Sequence, residues 1–119
     1  MPWEVEHTDE FGRWYMDLEL ATAESVAMVV DLLEERGPDL PFPLSSSVES
    51  SRHGHMRELR VQHAGRRIRI LYAFDPRRTA VLLLGGDKTG DGRWYRTHVP
   101  LADRLYDEHL DTLKREGLI

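Results

Sequence analysis

The chain has 119 residues, of which 40% are hydrophobic and 31% are charged, and its formal net charge is −5. This balance excludes a disordered chain and fits one globular domain, which we expect to span residues 1–119. The absence of cysteine excludes disulfide bonds and cysteine-based zinc sites, and the lack of a long apolar run or a signal-peptide pattern leads us to expect a cytoplasmic protein.

Charge is unevenly distributed along the chain. Residues 1–51 contain 2 basic and 12 acidic residues, residues 52–96 contain 11 and 4, and residues 97–119 contain 3 and 5. The middle of the chain therefore has a net charge of +7, between flanks of −10 and −2. The overall negative charge argues against a protein that simply coats nucleic acid, whereas a basic middle on an acidic body indicates a localised site for a polyanion.

The N-terminal part of the chain predicts one strand followed by two helices. Residues 3–7 alternate apolar and polar side chains, as a short strand does. Thr8 is a suitable N-cap for a first helix and Thr22 for a second. Apolar side chains then recur at helical spacing, at Phe11, Trp14, Tyr15 and Leu18 and again at Val26, Val29, Val30 and Leu33. Gly37 and Pro38 are expected to end the second helix.

A loop rich in proline and serine, at residues 37–54, leads into a predicted sheet. Three apolar segments follow, at residues 57–63, 67–74 and 79–84, and turn-forming residues separate them. We therefore expect a three-stranded antiparallel meander.

The last predicted element is a helix that begins at Pro100 and ends at Gly117. The order β-α-α-loop-β-β-β-α predicts an α+β fold, with two N-terminal helices and a C-terminal helix packed on a small antiparallel sheet.

The register of the first hairpin predicts where a functional site could lie in the meander. If Ala64-Gly65 is a two-residue turn, Arg60 falls opposite Arg69 on one face of the sheet. Two directly opposed arginines repel each other, so the arrangement favours either a solvated edge or a site that holds an anion. Apolar residues are predicted to extend the same face, at Leu71, Ala73, Leu82 and Leu84. Because they argue against a free face, and because arginine suits phosphate, we favour an anion site with Lys88 in the next loop.

Other short motifs carry less information. The segment at residues 85–90 is rich in glycine but lacks the spacing of a Walker phosphate loop. His53 and His55 are spaced like a metal pair, yet a solvated loop is the simpler interpretation. His63 and His98 are candidates for general acid–base catalysis, although a single histidine in a turn is more often structural. We expect no metal or cofactor.

Three motifs occur together in this chain: Glu-Leu-Arg at residues 58–60, Arg-Ile-Leu-Tyr at residues 69–72, and a glycine-containing loop with Lys88 ahead of a helix with Pro100. With the opening WEVEHTDEF and the helix end LLEERGP, the set resembles the HigB-like toxins, phage-protein-related members of the RelE/ParE superfamily. The resemblance implies a RelE-like fold and the toxin of a type II toxin–antitoxin pair. Such toxins typically cleave mRNA in the ribosome and are silenced by an antitoxin, often one with a helix-turn-helix DNA-binding domain.

The resemblance also implies roles for individual residues. Arg60, Arg69 and Lys88 would be the catalytic and phosphate-binding residues, acting as the RNA 2′-hydroxyl attacks the adjacent phosphorus. RNA-binding roles would fall to Arg57, Arg67, Tyr72, Arg93, Trp94 and Tyr95. The general base stays open, with His63 and Tyr72 as weak candidates. Two other functions stay open as well: a non-catalytic module that docks an antitoxin or nucleic acid, and a ParE-like gyrase poison.

Overall fold

The computed structural model describes residues 2–119, which form three α-helices and five strands. In chain order these are β1 Val5–His7, α1 Asp9–Met16, α2 Leu20–Arg36, β2 Ser45–Ser47, β3 Arg57–His63, β4 Arg66–Phe74, β5 Ala80–Asp87 and α3 Trp94–Arg115. A short 3₁₀ turn at Gly37–Asp39 follows α2. Within residues 2–119 no helix has the length and apolarity needed to cross a membrane.

The five strands form one sheet in the order β1-β5-β4-β3-β2. The predicted meander is confirmed, since β3, β4 and β5 pair antiparallel through the expected turns. Ala64 and Gly65 both have positive φ, 49° and 80°, as a two-residue hairpin turn requires. Arg60 is the register partner of Arg69, as predicted.

Two details of the sheet differ from the prediction. β1 pairs with β5 in parallel, so the sheet is mixed rather than wholly antiparallel. Side-chain alternation is the same in both pairings, which is why the sequence pattern does not distinguish them. The second detail is β2, which forms inside the predicted loop by pairing with the start of β3. Its three serines have little intrinsic strand preference, so this strand depends on its partner.

Helices cover both faces of the sheet. α1 and α2 pack on one face, around a core that includes Phe11, Val26, Leu33, Leu59, Ile70 and Tyr72. α3 packs on the other face, around a core that includes Met56, Leu71, Ala73, Leu83, Trp94 and Leu105. The two helices of the acidic segment, residues 1–51, therefore form a layer on one side, and the sheet separates them from α3.

A β-bulge in β5 changes which residues face α3. Leu71 pairs with Leu84, whereas the next residue, Tyr72, pairs with Leu82, so Leu83 is an extra residue in β5. The expectation that Leu82 shares the face of Arg69 is therefore wrong. Its side chain belongs to the core under α1 and α2.

Two helix starts also differ from the predicted positions. α2 begins at Leu20 with Glu19 as its N-cap, so Thr22 lies inside the first turn, where it is buried. α3 begins at Trp94, so Pro100 lies inside the helix instead of starting it. Because proline has no N–H, one hydrogen bond to the preceding turn of the helix is lost, which destabilises the helix. Packing of the buried Trp94 and Val99 against the sheet offsets this loss. The predicted N-cap Thr8 is confirmed, because its hydroxyl accepts a 3.0 Å hydrogen bond from the Phe11 N–H.

The two glycines at the end of β5 are packing positions rather than part of a phosphate loop. A Cβ atom on Gly85 would lie 2.4 Å from the Trp14 ring on the α1 side. A Cβ on Gly86 would lie 2.6 Å from Trp94 Nε1 on the α3 side. The absence of side chains here lets one tryptophan approach each face of the strand.

We expect Gly86→Ala to destabilise the protein by about 1–3 kcal/mol, the usual cost of forcing a methyl group into a close-packed interior. Trp94 is 2% exposed and has little room to move. The free energy of unfolding in urea measures this effect. Gly92→Ala is the matched control, because nothing lies within 4 Å of the added methyl group, and equal losses in both variants would contradict the packing explanation.

Candidate active site

Glu58 on β3 is the centre of a polar cluster on the α3 face of the sheet. It is 5% exposed, and its Oε1 atom accepts a 2.6 Å hydrogen bond from the Tyr95 hydroxyl. Arg69 Nε lies 3.7 Å from the same oxygen, and Arg60 Nη1 lies 3.9 Å from Oε2. One carboxylate thus offsets the repulsion between the two arginines that the register sets opposite each other.

Arg69 lies at the bottom of this cluster. Its exposed fraction is only 2%. Its Nη1 atom donates a 3.0 Å hydrogen bond to the Ile68 carbonyl, whereas Nε has no hydrogen-bond partner among the described residues. The Glu58 carboxylate, 3.7 Å away, balances its charge without completing a hydrogen bond, and a buried N–H left without one is costly. Because it is enclosed, Arg69 acts on anything bound above it mainly through its charge.

Lys88 brings a second kind of cation to the cluster from the turn after β5. Its Nζ atom lies 5.4 Å from the centroid of the Tyr95 ring. Partial burial, together with the positive charges of Arg69 and Arg67, lowers the pKa of the Lys88 amine, and Glu58 opposes this effect. A lysine with a lowered pKa gives up its proton more readily than a solvated one.

The position of Lys88 is fixed through its neighbours. The Lys88 N–H donates to the Arg67 carbonyl at 2.9 Å, and the Arg67 N–H donates to Thr89 Oγ1 at 2.7 Å. Thr89 N–H in turn donates to Asp87 Oδ1 at 2.9 Å. These bonds join the turn to the start of β4 and place Lys88 near Arg69.

The cluster as a whole has an excess of positive charge. Arg60, Arg67, Arg69 and Lys88 are near enough to act on one another electrostatically, and Glu58 is the carboxylate among them. Arg67 is exposed, and Arg60 and Lys88 are partly exposed, so their charged atoms can reach a ligand. Such a site can bind a phosphate and stabilise negative charge that develops on it.

Several residues that the sequence suggested lie outside the cluster. Arg57 and Tyr72 are register partners on the opposite face of the sheet. Both form hydrogen bonds with Ser45: the Tyr72 hydroxyl lies 2.6 Å from Ser45 Oγ, and Arg57 Nε donates to the same oxygen at 2.9 Å. Tyr72 is 1% exposed and Trp94 is 2% exposed, so neither offers a ring face for base stacking. Arg93 is exposed just before α3, where its N–H bonds to Asp91. Burial in the two cores explains why these aromatic residues occur in the sequence.

The four histidines considered from the sequence have structural partners. His53 bonds to Asp107 at 2.8 Å and His55 to the Tyr106 hydroxyl at 3.1 Å. His63 bonds to Ser25 on the α2 side, and His98 bonds to the Trp94 carbonyl, each at 2.8 Å. Among residues 2–119 no group of three or more side chains is arranged to hold a metal ion.

Sequence reasoning did not assign a role to Glu58, although it is part of the Glu-Leu-Arg motif. A usable signal was present: Glu58 shares the alternating face of Arg60, and it is the one acidic residue in β3. Its hydrogen bond to Tyr95 crosses 37 residues of sequence, and no local pattern predicts such a contact.

We expect Tyr95→Phe to lower the free energy of unfolding by about 1–3 kcal/mol, because the variant leaves the buried Glu58 carboxylate without its hydroxyl donor. Burial and the bond to Glu58 raise the pKa of Tyr95, so the hydroxyl stays protonated and available as a donor at neutral pH. Urea unfolding measures the loss. Tyr15→Phe, which removes a 3.2 Å bond to a neutral carbonyl, is the control, and a larger loss in the control would contradict the assignment.

The fold of the chain is the RelE fold. It superposes on the free Escherichia coli toxin RelE, a double mutant, with a TM-score of 0.58 at 7% identity, covering 79% of this chain and 92% of that one. It superposes on a chain of the RelE–RelB complex of Pyrococcus horikoshii OT3 with a TM-score of 0.54 at 16% identity, covering 74% and 97%.

Sequence similarity identifies the family of the chain. The profile of the family described as "Phage derived protein Gp49-like (DUF891)" matches residues 13–107. HigB3 of Mycobacterium tuberculosis, named as a candidate toxin, is 48% identical over 99 residues, 82% of this chain and 85% of the relative. HigB2 of the same organism, also named as a candidate toxin, is 41% identical over 104 residues, which are 86% of this chain but 52% of HigB2. The chain therefore belongs to the Gp49-like family, as a HigB-like member with the RelE fold.

Proposed function

We propose that this chain is the toxin of a type II toxin–antitoxin pair and that it cleaves mRNA bound to the ribosome, with residues 1–119 acting as one toxin domain. The observation that carries the proposal is the excess of positive charge around the hydrogen-bonded Glu58–Tyr95 pair. The names and titles of the relatives and structural neighbours, which describe toxins and a toxin–antitoxin complex, support the same function.

The exposed cations would bind the RNA backbone at the bond that is cleaved. Arg60 Nη1 lies 3.9 Å from Glu58, Lys88 is close enough for Glu58 to influence its charge, and Arg67 is exposed. A phosphate between Arg60 and Lys88 would be held by charge-assisted hydrogen bonds. Arg69 would stabilise the developing negative charge from below, because a buried charge acts through a lower dielectric than water.

The Glu58–Tyr95 pair supplies the acid–base partner that the sequence did not reveal. In the proposed reaction the RNA 2′-oxygen forms a bond to phosphorus, and its proton passes to the Tyr95 oxygen while the Tyr95 proton passes to Glu58. The bond from phosphorus to the 5′-oxygen breaks, and Lys88 donates a proton to that oxygen. The products are a 2′,3′-cyclic phosphate and a 5′-hydroxyl. The lowered pKa of Lys88 suits this role as general acid.

The expected partners follow from the same proposal. The helices of the acidic segment, residues 1–51, lie on the face opposite the basic site, so mRNA and the ribosome would approach from the α3 side. The protein would act in the cytoplasm. A cognate antitoxin, of the helix-turn-helix type that the family resemblance implies, would silence the toxin. RelB in the Pyrococcus complex is the corresponding partner of a protein with this fold.

Induction of the chain in growing bacteria tests the function. We expect growth arrest with new 5′ ends in cellular mRNA, and relief of the arrest when the neighbouring antitoxin gene is expressed. Arrest with intact mRNA and broken DNA would contradict RNA cleavage and favour a gyrase poison. Normal growth at a verified protein level would favour a non-catalytic binding module. Met16→Ala, an exposed change on α1 away from the site, is the control for expression level.

A further inference from the structure

Phe42 is a large aromatic side chain that the fold leaves in solvent. It is 69% exposed and lies between Pro41 and Pro43 in the segment that connects α2 to β2. Its neighbours point the other way: Leu40 is 3% exposed, and Leu44 packs against the core beneath α1 and α2. The segment is therefore anchored on both sides of Phe42, while the ring itself contributes little to the core.

Two contacts connect the Phe42 segment to the candidate active site, one through the backbone and one through the Phe42 ring. The Leu44 carbonyl accepts a 2.8 Å hydrogen bond from the Arg60 N–H. The Arg60 guanidinium carbon lies 5.3 Å from the centroid of the Phe42 ring, in a cation–π contact. Because Arg60 also reaches Glu58, at 3.9 Å, one side chain connects the aromatic ring to the polar cluster.

The turn that carries the ring is rigid. The N–H groups of Leu44 and Ser45 both donate to the Pro41 carbonyl at 3.1 Å, and the prolines on either side of Phe42 restrict the backbone further. Arg60 covers one side of the ring, and the high exposed fraction leaves the other side open.

A cavity of about 440 Å³ lies between α2 and residues 60–62 of β3, with Pro43 and Leu44 also lining it. The polar side chains along it are those of Ser25, Arg60 and Gln62, and no acidic side chain is among its lining residues. Its volume is within the range of ligand sites, and its one charged group is a cation, which suits an anionic ligand with a flat apolar part.

We propose that Phe42 is a stacking platform for one nucleobase of the RNA, next to the phosphate held by Arg60. Single-stranded RNA has the required chemistry, since a base stacks on an aromatic face while an arginine binds the adjoining phosphate. The platform would align the strand across the site and raise its affinity. It rests on the proposed function, because the base belongs to the strand that the cluster would cleave.

The test uses the full chain and 70S ribosomes programmed with an mRNA that carries 2-aminopurine in the decoding codon and 2′-O-methyl groups that block cleavage. Wild-type protein is expected to quench the 2-aminopurine fluorescence on binding. Phe42→Ala is expected to lose the quenching and to weaken binding by roughly 5- to 150-fold, the usual effect of removing one stacking partner. Phe42→Trp is expected to retain both the quenching and the affinity. The exposed control Met16→Ala is expected to behave as wild type.

The outcomes separate the platform from the function on which it rests. Unchanged quenching and affinity in Phe42→Ala overturn the platform alone, if the wild type still cleaves an unmodified mRNA. A wild type that neither quenches nor cleaves overturns the proposed function and the platform with it. If Phe42→Ala binds the RNA normally but no longer binds the antitoxin, the platform is overturned and the ring belongs to the antitoxin interface.

Discussion

Arg69→Ala is expected to destabilise the protein by about 3–5 kcal/mol and to abolish growth arrest on induction. Arg69 and Glu58 are 2% and 5% exposed, and removal of one partner of a buried ion pair leaves the other charge uncompensated. Loss of the buried positive charge would also remove about 10²–10³-fold of transition-state stabilisation. Urea unfolding measures the first effect, and mapping of mRNA 5′ ends after induction measures the second.

A double variant tests whether the Arg69–Glu58 pair does more than stabilise the fold. Arg69→Met with Glu58→Gln removes both buried charges together, so neither is left uncompensated. The amide introduced by Glu58→Gln is neutral, and its oxygen can still accept the hydrogen bond from the Tyr95 hydroxyl. We expect the double variant to recover much of the lost stability and to stay inactive. Recovery of cleavage along with stability would show that the Arg69–Glu58 pair is only structural.

Lys88→Ala is expected to reduce RNA cleavage by about 10²–10⁴-fold, the range for removal of a general acid, with little change in stability. The side chain is partly exposed and lies in a turn whose backbone bonds involve Arg67 and Thr89 rather than the Lys88 amine. The rate of cleavage of ribosome-bound mRNA and urea unfolding measure the two quantities. A variant that cleaves at the wild-type rate would remove Lys88 from the mechanism.

The pH dependence of the rate tests the same role. Burial and the nearby arginines lower the pKa of Lys88, and the proton donor must be charged to act. As pH rises through this lowered pKa the protonated fraction falls, so cleavage should decline at a lower pH than an ordinary lysine would give. Lys88→Arg keeps its charge over that range, and we expect its smaller residual rate to show no such decline.

The sequence predicted the hairpin that carries the two arginines because its determinants are local. Gly65 allows the turn, and strict alternation on β3 and β4 leaves one register that buries the apolar face. The placement of Arg60 opposite Arg69 followed from counting along the two strands. The same reasoning supplied the first helix cap at Thr8, since a cap and its bonding partner lie three residues apart.

The features that the sequence did not predict depend on contacts between distant residues. The bulge at Leu83 depends on how β5 fits two helical layers at once, and strand periodicity gives no sign of it. The glycines of β5 resembled a phosphate loop because their packing partners, Trp14 and Trp94, lie on different helices. The pairing of Glu58 with Tyr95 is of the same kind. It changes the interpretation of the site, because Arg69 is enclosed by internal contacts instead of facing solvent.

The layered fold gives the protein a strongly asymmetric electric field. Residues 1–51, with 12 acidic and 2 basic residues, form the two helices on one side of the sheet and its two edge strands, while the cationic cluster lies on the other side. An approaching polyanion is repelled by the first side and attracted by the second, so long-range steering would turn the molecule before contact. Encounters with the wrong orientation would be rare at low ionic strength, and added salt would make them more frequent by shortening the reach of that field.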